Sequence, residues 1–172
     1  MERFRATTIM VLFGGLTAGG WLYAQGGETT LTGGDIAEIK QLYARYNQGL
    51  DFEDAELYLS AFTDDAVFTT RDRKVYSGKD DLRAYLARVF HGVRGRIPAS
   101  ANFTHNNTSI RITPTADGAQ GRGYWMVIDV LSHPPAIAAH AYWDDTFVKT
   151  ANGWRIKTRT SQRGWPRLAK TQ

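Results

Sequence analysis

Between Ile36 and Leu50 apolar residues return every three or four positions: Ile36, Ile39, Leu42, Tyr43, Tyr46 and Leu50. That spacing draws one stripe along an amphipathic helix. Asp35 is the expected N-cap, with Glu38 three residues on as its capping-box partner. Gly49 weakens the last turn. A second helix is predicted from about Asp54 to Phe62, capped by Asp54, with Tyr58, Ala61 and Phe62 on one face. Thr63-Asp64-Asp65 carries a turn signature. A short hairpin follows, Val67 to Thr70 and Lys74 to Tyr76 around Arg71-Asp72-Arg73. Leu82, Tyr85, Leu86, Val89 and Phe90 mark a third helix after Ser77-Gly78. His91-Gly92 should close it, with His91 as a cap at the negative end of the helix rather than a catalyst.

From Ala101 the pattern changes to that of long strands: Asn102–Thr113, Gln120–Leu131, Ala136–Thr150 and Trp154–Ser161. The links between them are short and rich in Pro, Gly, Asp and Asn, which predicts an antiparallel meander. Helices first and a long-stranded sheet after is an α+β arrangement. Such a sheet needs its apolar face covered, and three N-terminal helices are there to cover it. Curled around them, it makes a cone-shaped antiparallel sheet with an apolar interior, a natural pocket for a small hydrophobic molecule.

The chain has 172 residues, which suits one domain after any leader. Met1 to Arg5 is basic, Ala6 to Leu22 is apolar and uncharged, and the chain turns polar after Ala24. That is the layout of a secretory signal peptide, residues 1–24, and predicts an exported protein, periplasmic or secreted. Its competitor is an uncleaved anchor, but a run of about 17 residues broken by glycines is marginal for spanning a bilayer. Membrane contact is therefore expected only through this segment. Residues 25–34 read as a flexible leader, 35–164 as the domain and 165–172 as a tail. The formal charge is +4, and cleavage would leave +3. Lys and Arg are scattered, with no footprint for nucleic acid. Those from Arg155 to Lys170 alternate with Thr, Ile and Trp, as on the solvent face of a strand. No cysteine is present, which excludes a thiol nucleophile, a disulfide and a thiolate metal site. The four histidines lack metal-site spacing, so neither a metal nor another cofactor is expected.

The strings EIKQLYARYNQGLD, YLSAFTDDAVF, YSGKDDLRAYL and FVKTANGWRIKTR, in that order, resemble the SnoaL-like family of the nuclear transport factor 2-like superfamily. The likeness covers about Asp35 to Gly164 and implies the α+β cone. The family includes polyketide cyclases, scytalone dehydratase, bile-acid dehydratases, ketosteroid isomerase and limonene epoxide hydrolase, beside non-catalytic members. The resemblance to the dehydratase branch implies a Tyr on the first helix, an Asp just after it and a His early on the first long strand. Here those positions are Tyr46, Asp51 and His105. Members often carry a second His beside the strand His, where this chain has Thr104.

The chemistry of the three types is coherent. A His can take a proton from carbon next to a carbonyl. A carboxylate on its other nitrogen fixes the tautomer. A Tyr hydroxyl can donate to the oxygen where enolate charge grows. Dehydration, double-bond migration or aldol-type closure would follow. Asn107 shares the pleat face of His105 and could hold a substrate oxygen, and Tyr58, Trp143 and Asp145 are further pocket candidates. Asp145 with Arg159 equally reads as a structural pair across neighbouring strands, and an epoxide-hydrolase set would need Asp129 beside them. His133 is expected to be exposed in a Pro-Pro turn, and His140 to face away from the pocket. The leading expectation is a lyase or isomerase. Against it stands a non-catalytic module of the same fold, either binding a hydrophobic ligand or dimerising through the outer sheet face as a homodimer.

Overall fold

The computed structural model describes residues 30–94 and 103–162. The predicted signal segment, most of the leader and the tail lie outside them. Three helices and six strands follow in order: α1 (Gly33–Asp51), α2 (Ala55–Leu59), β1 (Phe62–Thr69), β2 (Val75–Ser77), α3 (Gly78–Arg94), β3 (Phe103–Thr115), β4 (Gly118–Asp129), β5 (Ala136–Thr150) and β6 (Gly153–Gln162). The strands form one curved, unclosed sheet ordered β2-β1-β6-β5-β4-β3. No helix among the described residues is long and apolar enough to cross a membrane.

The capping box of α1 sits three residues earlier than the sequence suggested. Thr32 is the N-cap, and Asp35 is its reciprocal partner. The Thr32 hydroxyl accepts from the Asp35 amide at 3.1 Å, and the Asp35 carboxylate accepts from the Thr32 amide at 3.0 Å. The helix therefore takes in Gly33 and Gly34 from the expected leader. Asp35 is drawn inward because it also accepts from the Trp154 indole and the Lys149 ammonium, each at 2.8 Å. Lys149 above all, with Thr32 and Trp154, holds its carboxyl well below the usual range. Glu38, freed from the cap, accepts from the Trp154 amide at 3.0 Å. One turn of helix thus pins the β5–β6 hairpin.

The predicted meander is present: β3, β4, β5 and β6 pair antiparallel in succession. Not predicted was the parallel pairing of β1 with β6, which places β6 inside the sheet. Thr63-Asp64-Asp65 is not a turn but part of β1. Its turn chemistry is spent in a register break, because Phe62 pairs with Ile156 while Val67 already pairs with Thr158. Phe62, Ala66 and Phe68, which share one parity, are all buried. Helix α2 is cut short, since Phe62 belongs to the strand. Helix α3 runs past the predicted stop at His91-Gly92 to Arg94. Further register shifts in β3–β4, β4–β5 and β5–β6 bend the long strands into the cone.

The core lies between the concave face and the helices. Ile39, Leu42, Tyr43 and Tyr46 of α1 meet Trp143, Phe147 and Ile156 of the sheet, with Leu82 and Leu86 of α3 in the same cluster. Gly49 is explained by packing rather than by helix propensity. A β-carbon there would stand 2.6 Å from the Tyr58 amide nitrogen, so α2 crosses α1 at contact distance.

Gly49→Ala is therefore expected to destabilise by about 1–3 kcal/mol through overpacking. Helix propensity alone predicts a gain of roughly 1 kcal/mol. Urea unfolding followed by circular dichroism separates the two, and a gain in stability would refute the packing account.

Candidate active site

His105 lies on β3, the edge strand, and Asp51 is the last residue of α1. The structure brings them together. The Asp51 carboxylate stands 2.5 Å from His105 Nδ1 and also accepts from the His105 backbone amide, at 3.0 Å and 3.2 Å to its two oxygens. That amide points outward from an unpaired sheet edge, so one carboxylate satisfies the edge and aims the ring. With Asp51 on Nδ1, the proton is assigned to that nitrogen, which leaves Nε2 as the basic lone pair.

His105 and Tyr46 line the same cavity, of about 570 Å³, together with Phe68, Tyr85, Trp125 and Trp143. Asp51 does not line it. It reaches a smaller adjoining recess of about 260 Å³, walled by His105, Tyr85 and Val89 as well. Tyr46 is only 3% exposed. Its ring meets Trp143 edge-on at 5.4 Å and lies 4.7 Å from Tyr58. Burial pushes its hydroxyl far above the ordinary phenol range, so it remains a proton-bearing donor. Tyr85 is pushed up to about 12, again mainly by burial.

The remaining sequence candidates separate. Trp143 lines the cavity. Asn107 does not; its carbonyl oxygen accepts from the Trp143 indole at 3.1 Å, while its buried amide nitrogen has no partner among the described residues. Tyr58 is fully buried between Tyr46 and Phe62, a support for Tyr46 rather than a lining residue. Asp145 is likewise absent from the cavity wall, because Arg159 Nε and Nη2 occupy its two oxygens at 2.9 and 2.8 Å. The Asp145–Arg159 reading as a cross-strand pair matches the register. Asp129 is elsewhere, accepting from the Leu131 and Ser132 amides in the β4–β5 turn, so no Asp-Arg-Asp set assembles. His133 and His140 are exposed. Among the described residues no group of acidic or His side chains could hold a metal ion.

The alternation of charges from Arg155 to Lys170 predicts a solvent face, yet Arg159, while paired with Asp145, is fully buried. Its guanidinium carbon lies 4.5 Å from the Tyr46 ring centre and 4.7 Å from those of Tyr43 and Trp143. Burial alone would favour loss of its proton; the Asp145 carboxylate more than offsets this and keeps the cation. Strict alternation from Trp154 and Ile156 puts Arg159 outside, but the β5–β6 register shift before it reverses the parity. Trp125 and Ser161 also escaped notice; both line the cavity. Inward parity with Val127 and with Arg159 would have been their only signal.

The SnoaL-like domain family model matches residues 33–160. No curated protein matches at a significant level. Among solved structures, a protein of unknown function with a cystatin-like fold from Nostoc punctiforme is similar over 77% of this chain and 92% of its own, with 25% identity and a TM-score of 0.65. A nuclear transport factor 2-like protein from Novosphingobium aromaticivorans is similar over 75% of this chain and 81% of its own, at 22% identity and a TM-score of 0.65. A protein of the same organism, provisionally assigned as a scytalone dehydratase, is similar over 73% of this chain and 81% of its own, at 21% identity and a TM-score of 0.57. At these identities the last two likenesses speak for the fold.

Removing one partner of the Asp145–Arg159 pair strands the other as a buried charge. Asp145→Ala is expected to cost about 3–5 kcal/mol in urea unfolding, and Asp145→Leu with Arg159→Met to recover most of it. A fully tolerated single variant would refute the pairing account. The buried phenols give a second prediction. A raised phenol pKa stabilises the fold at neutral pH, and that contribution is lost as alkali ionises the group. Tyr43, Tyr46 and Tyr58 should thus stay un-ionised at 295 nm until near-UV circular dichroism collapses in alkali. Their titration with tertiary structure intact would contradict the burial described.

Proposed function

We propose, for a chain that belongs to the SnoaL-like domain family, a lyase or isomerase reaction that needs no cofactor, on a small hydrophobic carbonyl compound held in the cone. The observation that carries it is the 2.5 Å contact of Asp51 with His105 Nδ1, on a ring that faces a cavity shared with Tyr46. His105 Nε2 takes the proton from the carbon next to the carbonyl. The C–H electron pair moves into the enolate, whose oxygen receives a hydrogen bond from the Tyr46 hydroxyl. Asp51 steadies the imidazolium so formed. The enolate then collapses in one of two ways. Expulsion of a β-hydroxyl, which leaves as water with the proton carried by His105, is a dehydration. Return of that proton at a more distant carbon is an isomerisation.

The surroundings favour this chemistry. Six aromatic rings line the cavity, Tyr46, Phe68, Tyr76, Tyr85, Trp125 and Trp143, and an apolar surround strengthens polar contacts made against it. Its volume lies in the range of small-molecule sites. A second reading, ligand binding without turnover, is favoured by one observation: Tyr46 is clamped under Arg159 within a ring cluster, as a purely structural aromatic would be.

The two readings part on exchange of the α-protons of 1-tetralone in deuterated water, followed by NMR. Proton abstraction predicts exchange above the buffer rate, abolished in His105→Gln. Tyr46→Phe should lower it by about 10²–10³-fold, the loss typical of one oxyanion donor. Asp51→Asn should lower it by up to about 10⁴-fold through the wrong tautomer. Exchange unchanged in His105→Gln would sink the catalytic reading.

A further inference from the structure

The cavity has a second polar end that proton abstraction does not use. Ser161 lines it from β6 and is 2% exposed, and its hydroxyl has no hydrogen-bond partner among the described residues. The buried Trp125 indole N–H, on the wall between, is likewise without one. A buried donor left unpaired is costly, and its pairing with a ligand oxygen would recover that cost. His105 is on β3 and Ser161 on β6, three strand spacings apart, about 14 Å of backbone before curvature brings the inner side chains closer. A ligand that touches both has to reach from β3 to β6.

The charges gather at the Ser161 end. Thr69 pairs with Thr160, so the β1–β2 turn leaves the sheet beside Ser161. From that turn Arg71, Asp72 and Lys74 line the cavity, and Arg88 joins them from α3, its guanidinium 5.4 Å from the Tyr76 ring centre. Three cations therefore face one carboxylate. That carboxylate is engaged: Asp72 accepts from the Thr70 hydroxyl at 2.5 Å and pairs with Lys74 at 3.1 Å. Trp125 of β4 and Trp143 of β5, their ring centres 5.5 Å apart, lie between the two ends, while Phe68 of β1 and Tyr76 of β2 line the cavity beyond Ser161; together they suit a flat apolar body.

We propose that the Ser161 end binds an anionic oxygen group. The ligand is then an elongated, flat, apolar acid, with its carboxylate toward Ser161, Lys74 and Arg88. Its carbonyl end points toward His105, a placement that rests on the proton-abstraction reading. Because the cations are at the mouth, they select and steer more than they anchor, and their effect is screened by salt. Ser161, inside, gives the directional contact.

The test is a pair of probes of equal shape, biphenyl-4-carboxylate and biphenyl-4-carboxamide, titrated into the full chain by calorimetry at low ionic strength. The acid should bind several-fold more tightly than the amide, an exposed ion pair giving up to about fivefold each. The preference should shrink at about 1 M salt. Lys74→Gln with Arg88→Gln, checked for folding by circular dichroism, should bring acid and amide near parity. Ser161→Ala should weaken the acid by about two- to tenfold. Equal binding of the two probes, or a preference that survives the double variant, overturns the proposal while leaving proton abstraction standing. Loss of catalysis as the reading of His105, with the acid preference intact, leaves this subsite standing. If neither probe binds at millimolar concentration, the proposed subsite falls, while the exchange experiment decides proton abstraction on its own.

Discussion

A guanidinium with no access to water is the constraint around which this domain is arranged. Arg159 cannot be neutralised, so its charge must be met inside the protein. Asp145 meets it along one edge with two hydrogen bonds. The faces are met by the rings of Tyr43, Tyr46 and Trp143. Each ring then carries a consequence outward. Trp143 is held in turn by Asn107 of β3, and Tyr46 leans on Tyr58 of α2. The innermost wall of the cavity is thus set by electrostatics as much as by apolar packing.

A second constraint joins helix α1 to the edge of the sheet. Tyr46 and Asp51 are five residues apart, which turns their side chains about 140° from each other around the helix axis. One therefore enters the ring cluster while the other reaches out to β3. An edge strand needs its outward amides covered, and the Asp51 carboxylate covers that of His105. The same carboxylate reaches Nδ1 because side chain and amide belong to one residue. Ring orientation and edge protection are one interaction, so the site's geometry is as rigid as the helix–sheet contact itself.

Much of this was legible in the chain. The stripe from Ile36 to Leu50, the heptad-like spacing in α3 and the four long strands are local periodicities, and local periodicity survives folding. What escaped depends on partners distant in sequence. Thr32 wins the cap from Asp35 because Lys149 and Trp154 draw Asp35 inward. Thr63-Asp64-Asp65 has turn chemistry, but the pairing of β1 with the distant β6 takes it into a strand, where it falls in a register break. Arg159 is misplaced by alternation because an extra residue in its own strand, Lys157, inverts the parity of β6. In the site, the Asp51–His105 contact followed from residue types and family resemblance. The contact of Asn107 with Trp143, and the inward turn of Ser161, needed coordinates.

The placing of β6 bears on how the molecule is made. It is the last of the described strands along the chain, yet it sits in the interior of the sheet, between β1 and β5. Until it arrives, a growing chain has two bare strand edges facing one another across a gap, and no Arg159 to order the rings. Of the described strands, the one made last is therefore the keystone. A chain stopped before Gly153 would not be a weaker version of the domain. It would be two half-sheets with adhesive edges, more apt to pair with other chains than with each other.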